Sequence, residues 1–420
     1  MRKVVISGMI GNALEWYDYA LYAQFAHIIG LKFLPKTEFV EIITFGLFAA
    51  GFVIRPLGGI LFGQIGDRFG RKVALVIGIL LMAIPTAGIG LLPSYETIGI
   101  AAPIILAIIR LLQGFSLGGE FSGCIAYIVE HAPHGKRGLA GSASFVSMCL
   151  GMLLGLVVAN GFSYFLSEED LLEWGWRVPF ILGLLIGLVG IYIRSHLSES
   201  PVYKAAKEAG CLSRTPLREV FTTYLPQLLI AIGIYINVTA PFYTTTVFIK
   251  HFMQSLGYSL DQGSFTCAVI LITMTVVFPI SAYISDKVGR KPVIIAGSLL
   301  LIVNIYPIFL ALNSMNYHLA LFSQIVFATI VGIYMGPVPT LLVEMFPTKV
   351  RFTGVAISYN LSAAIFGGTA PMVGTALYQF TGNSMTYGYY LTGLAIICLM
   401  VTFLYKETYQ HDLLENACEV

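Results

Sequence analysis

The chain has 420 residues, 57% apolar and 11% charged, with a net charge of +2 at pH 7 and a mean hydropathy of +0.82. A soluble domain carries about a quarter charged residues, so a water-soluble fold is excluded. The near-balanced charge gives no footprint for a nucleic-acid partner.

Continuous apolar runs, long enough to cross about 30 Å of hydrocarbon with roughly 20 residues each, fill most of the sequence. They do not alternate with period two, which excludes an outer-membrane barrel and leaves helices. Twelve spans are predicted near 5–33, 41–65, 73–92, 97–129, 139–165, 175–196, 223–249, 263–284, 292–312, 317–343, 354–379 and 388–405. Met1-Arg2-Lys3 leads into a first span too long for a signal-peptide core and without a small-residue cleavage pattern, so that helix is expected to be retained. The fold class is therefore an all-α membrane protein. It divides into an N-terminal six-helix bundle (1–196), a polar central loop (197–222), a C-terminal six-helix bundle (223–405) and a short tail (406–420).

Eighteen of the 24 lysines and arginines fall on one side of these spans, from Arg2 and Lys3 through Arg68, Arg71, Lys72 and Arg194 to Lys406. The other side holds Lys32, Lys36 and Lys250, with Arg177 at its edge. The positive-inside rule makes the first side, with both termini, cytoplasmic. The six cysteines (Cys124, Cys149, Cys211, Cys267, Cys398, Cys418) show no metal-ligand or disulfide-framework spacing and read as small apolar residues.

A charged turn follows span two, "GQIGDRFGRK" at 63–72, and recurs after span eight as "AYISDKVGRKP" at 282–292. A second pair follows spans four and ten, where Glu130 and Arg137 match Glu344 and Arg351 at identical spacing. Two copies of both turns argue for two parallel six-helix repeats, the plan of a transporter whose substrate site lies between its halves. Asp67, Arg68, Arg71, Glu130, Arg137, Asp286, Arg290, Glu344 and Arg351 are accordingly expected to form gate contacts that separate when the halves rock.

Ionisable groups within spans are functional candidates by default. Glu15 and Asp18 lie in span one, Arg55 in span two, Arg110 and Glu120 in span four, while the interiors of spans seven to twelve hold no Asp, Glu, Lys or Arg. That set has one carboxylate in excess, and one of the three acids is expected to carry the driving proton. Asp18, Glu15 and Glu120 are the candidates, with Arg55 as a partner of Asp18. Arg110 is assigned to a substrate carboxylate. Trp16, Tyr19, Tyr22 and Gln113 are placed around it, and "YINVTAPFYTTT" at 235–246 is expected to unwind around substrate. Tyr235, Asn237 and Tyr243 there, with Tyr334 and Asn360, are the expected lining from the second half; aromatic faces suit a quaternary ammonium. The glycines at 114, 118, 119 and 123 read as a helix-packing face.

The "GxxxDRxGRK" turn and "RLLQGFSLGGE" at 110–120 resemble motifs of the major facilitator superfamily. "GNALEWYDYALY", "RPLGG", "WGWRVPF", "MFPTKVRFTG" and "KET" resemble its metabolite:proton symporter family, with "NVT" and the Tyr359–Asn360 segment nearest its proline/betaine branch. The resemblance implies a proton-driven symporter without cofactor or metal, working as a monomer on a small zwitterion. Organic-acid symport is the alternative, in which Arg55 and Arg110 both serve anionic groups. A drug/proton antiporter is disfavoured because the fifth span lacks the Gly-Pro motif that such proteins share. Osmosensing members carry a long charged C-terminal extension, and this sequence stops about fifteen residues after Lys406, so osmotic activation is not expected to follow from the resemblance. An enzyme is not expected either, since no nucleophile–base pair, metal cluster or nucleotide loop is present; a receptor of transporter shape is the remaining alternative.

Overall fold

The computed structural model describes residues 1–35, 40–383, 385–410 and 413, so Lys36 and Cys418 lie outside the described residues. Twelve long helices carry the fold among them. The first six are α1 (Arg2–Gln24, continued by Ala26–Phe33), α2 (Val40–Phe69), α3 (Arg71–Leu91), α4 (Ala101–His131), α5 (Arg137–Phe165) and α6 (Arg177–Ser195). The second six are α7 (Leu225–Ser255), α8 (Leu260–Val288), α9 (Arg290–Leu312), α10 (Tyr317–Met345), α11 (Arg351–Thr381) and α12 (Met385–Leu404). The helices from α3 onward, 10 in all, are long and apolar enough to cross a membrane. The central loop folds as two short helices, Pro201–Glu208 and Pro216–Thr222.

Local chemistry sets the helix ends. Gly70 and Gly289 break α2 from α3 and α8 from α9 with φ of +114° and +97°, a region that only glycine enters cheaply. The next helix is capped from elsewhere in each case: Glu199 accepts the Arg71 and Lys72 backbone N–H groups at 3.1 Å each, and Glu407 accepts that of Lys291 at 2.8 Å. A carboxylate at a helix N-terminus satisfies orphan donors and complements the dipole. At α8, Ser259 and Gln262 form a capping box.

In the first half α1 packs on α5, α2 on α4 and α3 on α6; in the second α9 packs on α10 and α12. Between the halves α5 meets α8, and α2 meets α11. Small residues allow the tight crossings. A Cβ on Gly114 would strike the Gly51 backbone and one on Gly118 the Arg55 carbonyl, so the glycine face of α4 is a packing face.

Three expectations need correction. The first span is not one helix but breaks at Phe25. The 235–246 segment does not unwind: α7 stays helical through Pro241 and widens into a π-turn at Thr244–Phe248. Its threonines satisfy the loosened carbonyls, Thr244 bonding to Ala240 O at 2.7 Å, Thr245 to Pro241 O at 3.0 Å and Thr246 to Phe242 O at 2.7 Å. Finally, Cys124, Cys149, Cys267 and Cys398 are free and buried as expected, but Cys211 is half-buried and disulfide-bonded.

Candidate functional site

A cavity of about 550 Å³ lies between the halves, lined by Tyr19, Tyr22, Phe52, Tyr243, Lys250 and Met372 among others. These residues belong to the helix ends remote from the basic turns. On the basic face the halves are closed onto each other by a dense set of contacts.

Asp67 at the end of α2 reaches the N-terminus of α11, accepting from Phe352 N at 3.1 Å, Thr353 N at 2.9 Å and Thr353 Oγ1 at 2.7 Å. Asp286 at the end of α8 does the same to α5, accepting from Gly138 N at 2.7 Å and Leu139 N at 2.9 Å. Each aspartate also pairs with the arginine four residues on, Asp67 with Arg71 at 3.1 Å and Asp286 with Arg290 at 2.7 Å. Glu130 joins Arg71 at 3.1 Å and, across the interface, Arg351 at 2.9 Å; Glu344 joins Arg290 at 3.1 Å. Arg71 further donates to Thr348 O at 2.8 Å, and Thr340 Oγ1 donates to Arg137 O at 2.8 Å. The expected gate residues are thus brought together with one exception. Arg68 is exposed and bonds the Arg214 carbonyl of the central loop, because its side chain points out from the end of α2.

Beneath the cavity the N-terminal bundle holds a buried polar cluster. Asp18 accepts from Arg110 Nη1 at 3.0 Å and from Gln113 Nε2 at 2.8 Å. Gln113 Oε1 accepts from Arg110 at 2.7 Å, and Gln113 Nε2 reaches Thr86 Oγ1 at 3.0 Å. The Arg110 guanidinium sits 4.1 Å from the centroid of Tyr22, whose ring lines the cavity. One aromatic ring therefore separates this ion pair from the space between the halves. Arg110, expected to hold substrate, is held by Asp18 instead, and Arg55 is not the partner of Asp18. The spacing of α1 against α4 decides this, since position 18 stands level with 110 and 113.

Arg194 changes the charge count. Its place in the last turn of span six puts it at the basic face, yet it is buried, ion-paired with Glu120 and bonded to Leu75 O at 2.6 Å. Gly11 leaves the room for this pair, since a Cβ there would strike both side chains. Among the described residues within the spans, Glu15, Asp18 and Glu120 are thus balanced by Arg55, Arg110 and Arg194, without the expected surplus acid. Glu120 thereby ties α4 to α6. Sequence distance hides such pairing; only the helix level of Arg194, near one turn from the basic face, hints at it.

Two groups are left over. Neither carboxylate oxygen of Glu15 has a hydrogen-bond partner. Arg55 has no carboxylate partner among the described residues; its Nη1 donates to the Tyr243 hydroxyl at 3.3 Å, Nη2 bonds the Tyr359 hydroxyl, and Nε is unpartnered. Aromatic rings surround them. Trp16 lies 5.7 Å from Phe242 and 6.4 Å from Tyr243, and Tyr359 lies 4.6 Å from Phe121 and 5.3 Å from Tyr235. Tyr19, between Trp16 (5.4 Å) and Phe52 (5.9 Å), also lines the cavity above, as do Phe52 and Tyr243.

Three expected lining residues lie elsewhere. Tyr334 donates to Ile234 O at 2.6 Å and fixes α10 to α7 inside the C-terminal bundle. Asn360 donates to Gly118 O at 2.7 Å and so belongs to the seal between halves. Asn237 stands one turn from Gly233, whose carbonyl accepts the Cys398 thiol at 3.0 Å, on the side of α7 turned to α12. Tyr359, Phe121 and Phe242, which the sequence did not single out, take their places. No group of His, Cys, Asp and Glu able to hold a metal occurs among the described residues.

The Major Facilitator Superfamily profile matches residues 9–368 and 242–416. The chain is 35% identical over 420 residues to the proline/betaine transporter of Escherichia coli (strain K12), covering 97% of this chain and 84% of that protein. It is 36% identical to a putative proline/betaine transporter of Staphylococcus haemolyticus, over 95% of this chain and 86% of the other. With the glycine betaine/proline/ectoine/pipecolic acid transporter OusA of Dickeya dadantii it shares 35% identity, covering 97% and 84%. In three dimensions it matches the proton:xylose symporter XylE bound to 6-bromo-6-deoxy-D-glucose with a TM-score of 0.81 at 20% identity, covering 98% and 97%.

Proposed function

From the premise that the chain belongs to the major facilitator superfamily, and is thus a transporter rather than an enzyme, we propose that it is a proton-coupled symporter importing a small zwitterion such as proline or a betaine. The named relatives support the solute class. The bundles 1–196 and 223–405 rock against each other as alternating-access units, joined by the loop at 197–222. The excess of lysine and arginine on the basic face makes that face and both termini cytoplasmic, so the state described here is sealed inside and open outside. One chain builds the whole cavity, and a monomer in the cell membrane suffices. No cofactor is called for; the proton gradient supplies the work.

The observation that carries proton coupling is the Asp18–Arg110–Gln113–Thr86 cluster, buried one ring beneath the cavity. Protonation at an Asp18 oxygen turns an ion pair into a neutral acid beside a freed guanidinium. The hydrogen bonds that tie α1 to α4 then rearrange, and with them the level of Tyr19 and Tyr22 in the cavity wall. Organic-acid symport needs both Arg55 and Arg110 free for anionic groups, and Arg110 is occupied, which favours the zwitterion.

The test is Asp18→Asn in proteoliposomes. Accumulation of labelled proline or glycine betaine down an imposed proton gradient should be lost, while exchange of internal for external substrate persists. Undiminished gradient-driven accumulation by the variant rules out Asp18 as the coupling site.

A further inference from the structure

Resting on the zwitterion reading, the geometry points to a specific division of labour among the buried groups beneath the cavity-lining Tyr19, Phe52 and Tyr243: we infer that Arg55 takes the substrate carboxylate and Glu15 the substrate cation, with the aromatic rings closing around the ammonium. The inference begins from what is left unsatisfied. Five other buried arginines are matched to acids, Arg71 and Arg351 to Glu130, Arg110 to Asp18, Arg194 to Glu120 and Arg290 to Glu344. Arg55 is hydrogen-bonded by two neutral phenols and lies over the Phe52 ring at 5.3 Å, with no acid paired to it among the described residues. Glu15 keeps both oxygens unpartnered. Arg55 is the foremost cation acting on Glu15, yet the two do not close into a pair.

Leaving a buried charged group unsatisfied is costly, and each such group calls for a partner or a role. The charge count then selects the ligand. One unmatched acid and one unmatched base sum to zero. A zwitterion laid head to tail between them satisfies both and leaves the site neutral. A simple carboxylate leaves Glu15 unmatched beside a new negative charge, and a simple ammonium leaves Arg55 in the same position. The fork of a guanidinium suits a carboxylate, and Trp16, Phe242 and Tyr243 offer faces to a methylated ammonium.

The placement also couples substrate to gate. Arg55 belongs to α2, whereas Tyr243 and Tyr359 belong to α7 and α11. A carboxylate arriving at Arg55 competes with the two phenols that link the halves at this level.

The experiment uses the full-length protein in proteoliposomes and three probes of similar size: glycine betaine, its uncharged-carbon isostere 3,3-dimethylbutanoate, and choline, which lacks the carboxylate. Competition against labelled glycine betaine gives the preference of each variant as a ratio, which does not depend on how much protein is folded. The wild type should prefer glycine betaine to either analogue by about 10- to 100-fold, the range of one charge-assisted contact. Glu15→Gln should erase most of the discrimination against 3,3-dimethylbutanoate and keep that against choline; Arg55→Gln should do the reverse. Ratios equal to wild type in both variants overturn the assignment. A wild type that ignores glycine betaine and proline but concentrates oxoglutarate overturns the zwitterion reading itself.

Discussion

Replacing Asp67 by Asn tests whether the charged turn holds the halves together. In the described state this carboxylate accepts three hydrogen bonds from the start of α11, at 2.7 to 3.1 Å, and is fully buried. Hydrogen bonds to a charged group contribute about 1.5–3 kcal/mol each, and a charge at a helix N-terminus up to about 2 kcal/mol more. Asparagine keeps one acceptor and removes the charge, and loss of the buried charge returns part of its desolvation. About 2 kcal/mol of net loss remains, or roughly 30-fold in the balance between the two access states. All of it falls on one side, because the bonds cross the interface and must break when the basic face opens. The measurement is alkylation of a single cysteine placed on the basic side of the cavity, in membranes, at low substrate. Labelling should rise by a factor of the order of 30 where the closed state dominates. An unchanged rate, with the variant folded and able to exchange substrate, would show that Asp67 carries no closing energy and that the turn only orients the chain.

Asp286→Asn should shift the same balance in the same direction by a comparable factor, since Asp286 holds the N-terminus of α5 through Gly138 and Leu139; a null result in the alkylation assay would break the equivalence of the two turns. Gly118→Ala should lower the melting temperature of the purified protein, with a cost of about 1–3 kcal/mol from overpacking, because the added methyl meets the Arg55 carbonyl backbone. Thermal unfolding in detergent reads this directly, and unaltered melting would remove the close α2–α4 crossing from the account.

The helical spans and the recurring charged turns that meet across the halves were legible because each rests on local composition or fixed spacing. Runs of apolar residues announce helices, and Glu130–Arg137 against Glu344–Arg351 announces a repeat whatever the packing. The pairing of buried charges was not legible, for a physical reason. Partners such as Glu120 and Arg194 are brought together by the level at which helices cross, and a one-turn difference in level exchanges one partner for another. The partner of Asp18 was therefore read as Arg55, where the structure has Arg110. The helix caps from Glu199 and Glu407 were missed likewise, although "SES" and "KET" occupy matching places after the sixth span of each half. Tyr359 stood beside the chosen Asn360, and helical phase alone sends one to Arg55 and the other to Gly118.

The doubled turn can now be explained by what its aspartates touch. Pairing with their own arginines, four residues on, keeps them in place within one bundle and changes little when the bundles move. The contacts that must break are those to the first N–H groups of the opposite half's fifth helix, α11 for Asp67 and α5 for Asp286. The clasp is reciprocal, so each half supplies one acid and one helix N-terminus. A single copy would hold one edge of the interface and let the other gape. Two copies related by the repeat hold both edges at once, and only a motion that frees both opens the basic face. That requirement makes opening all-or-none, and a transporter needs such a transition if the cavity between its halves is never to face both sides of the membrane together.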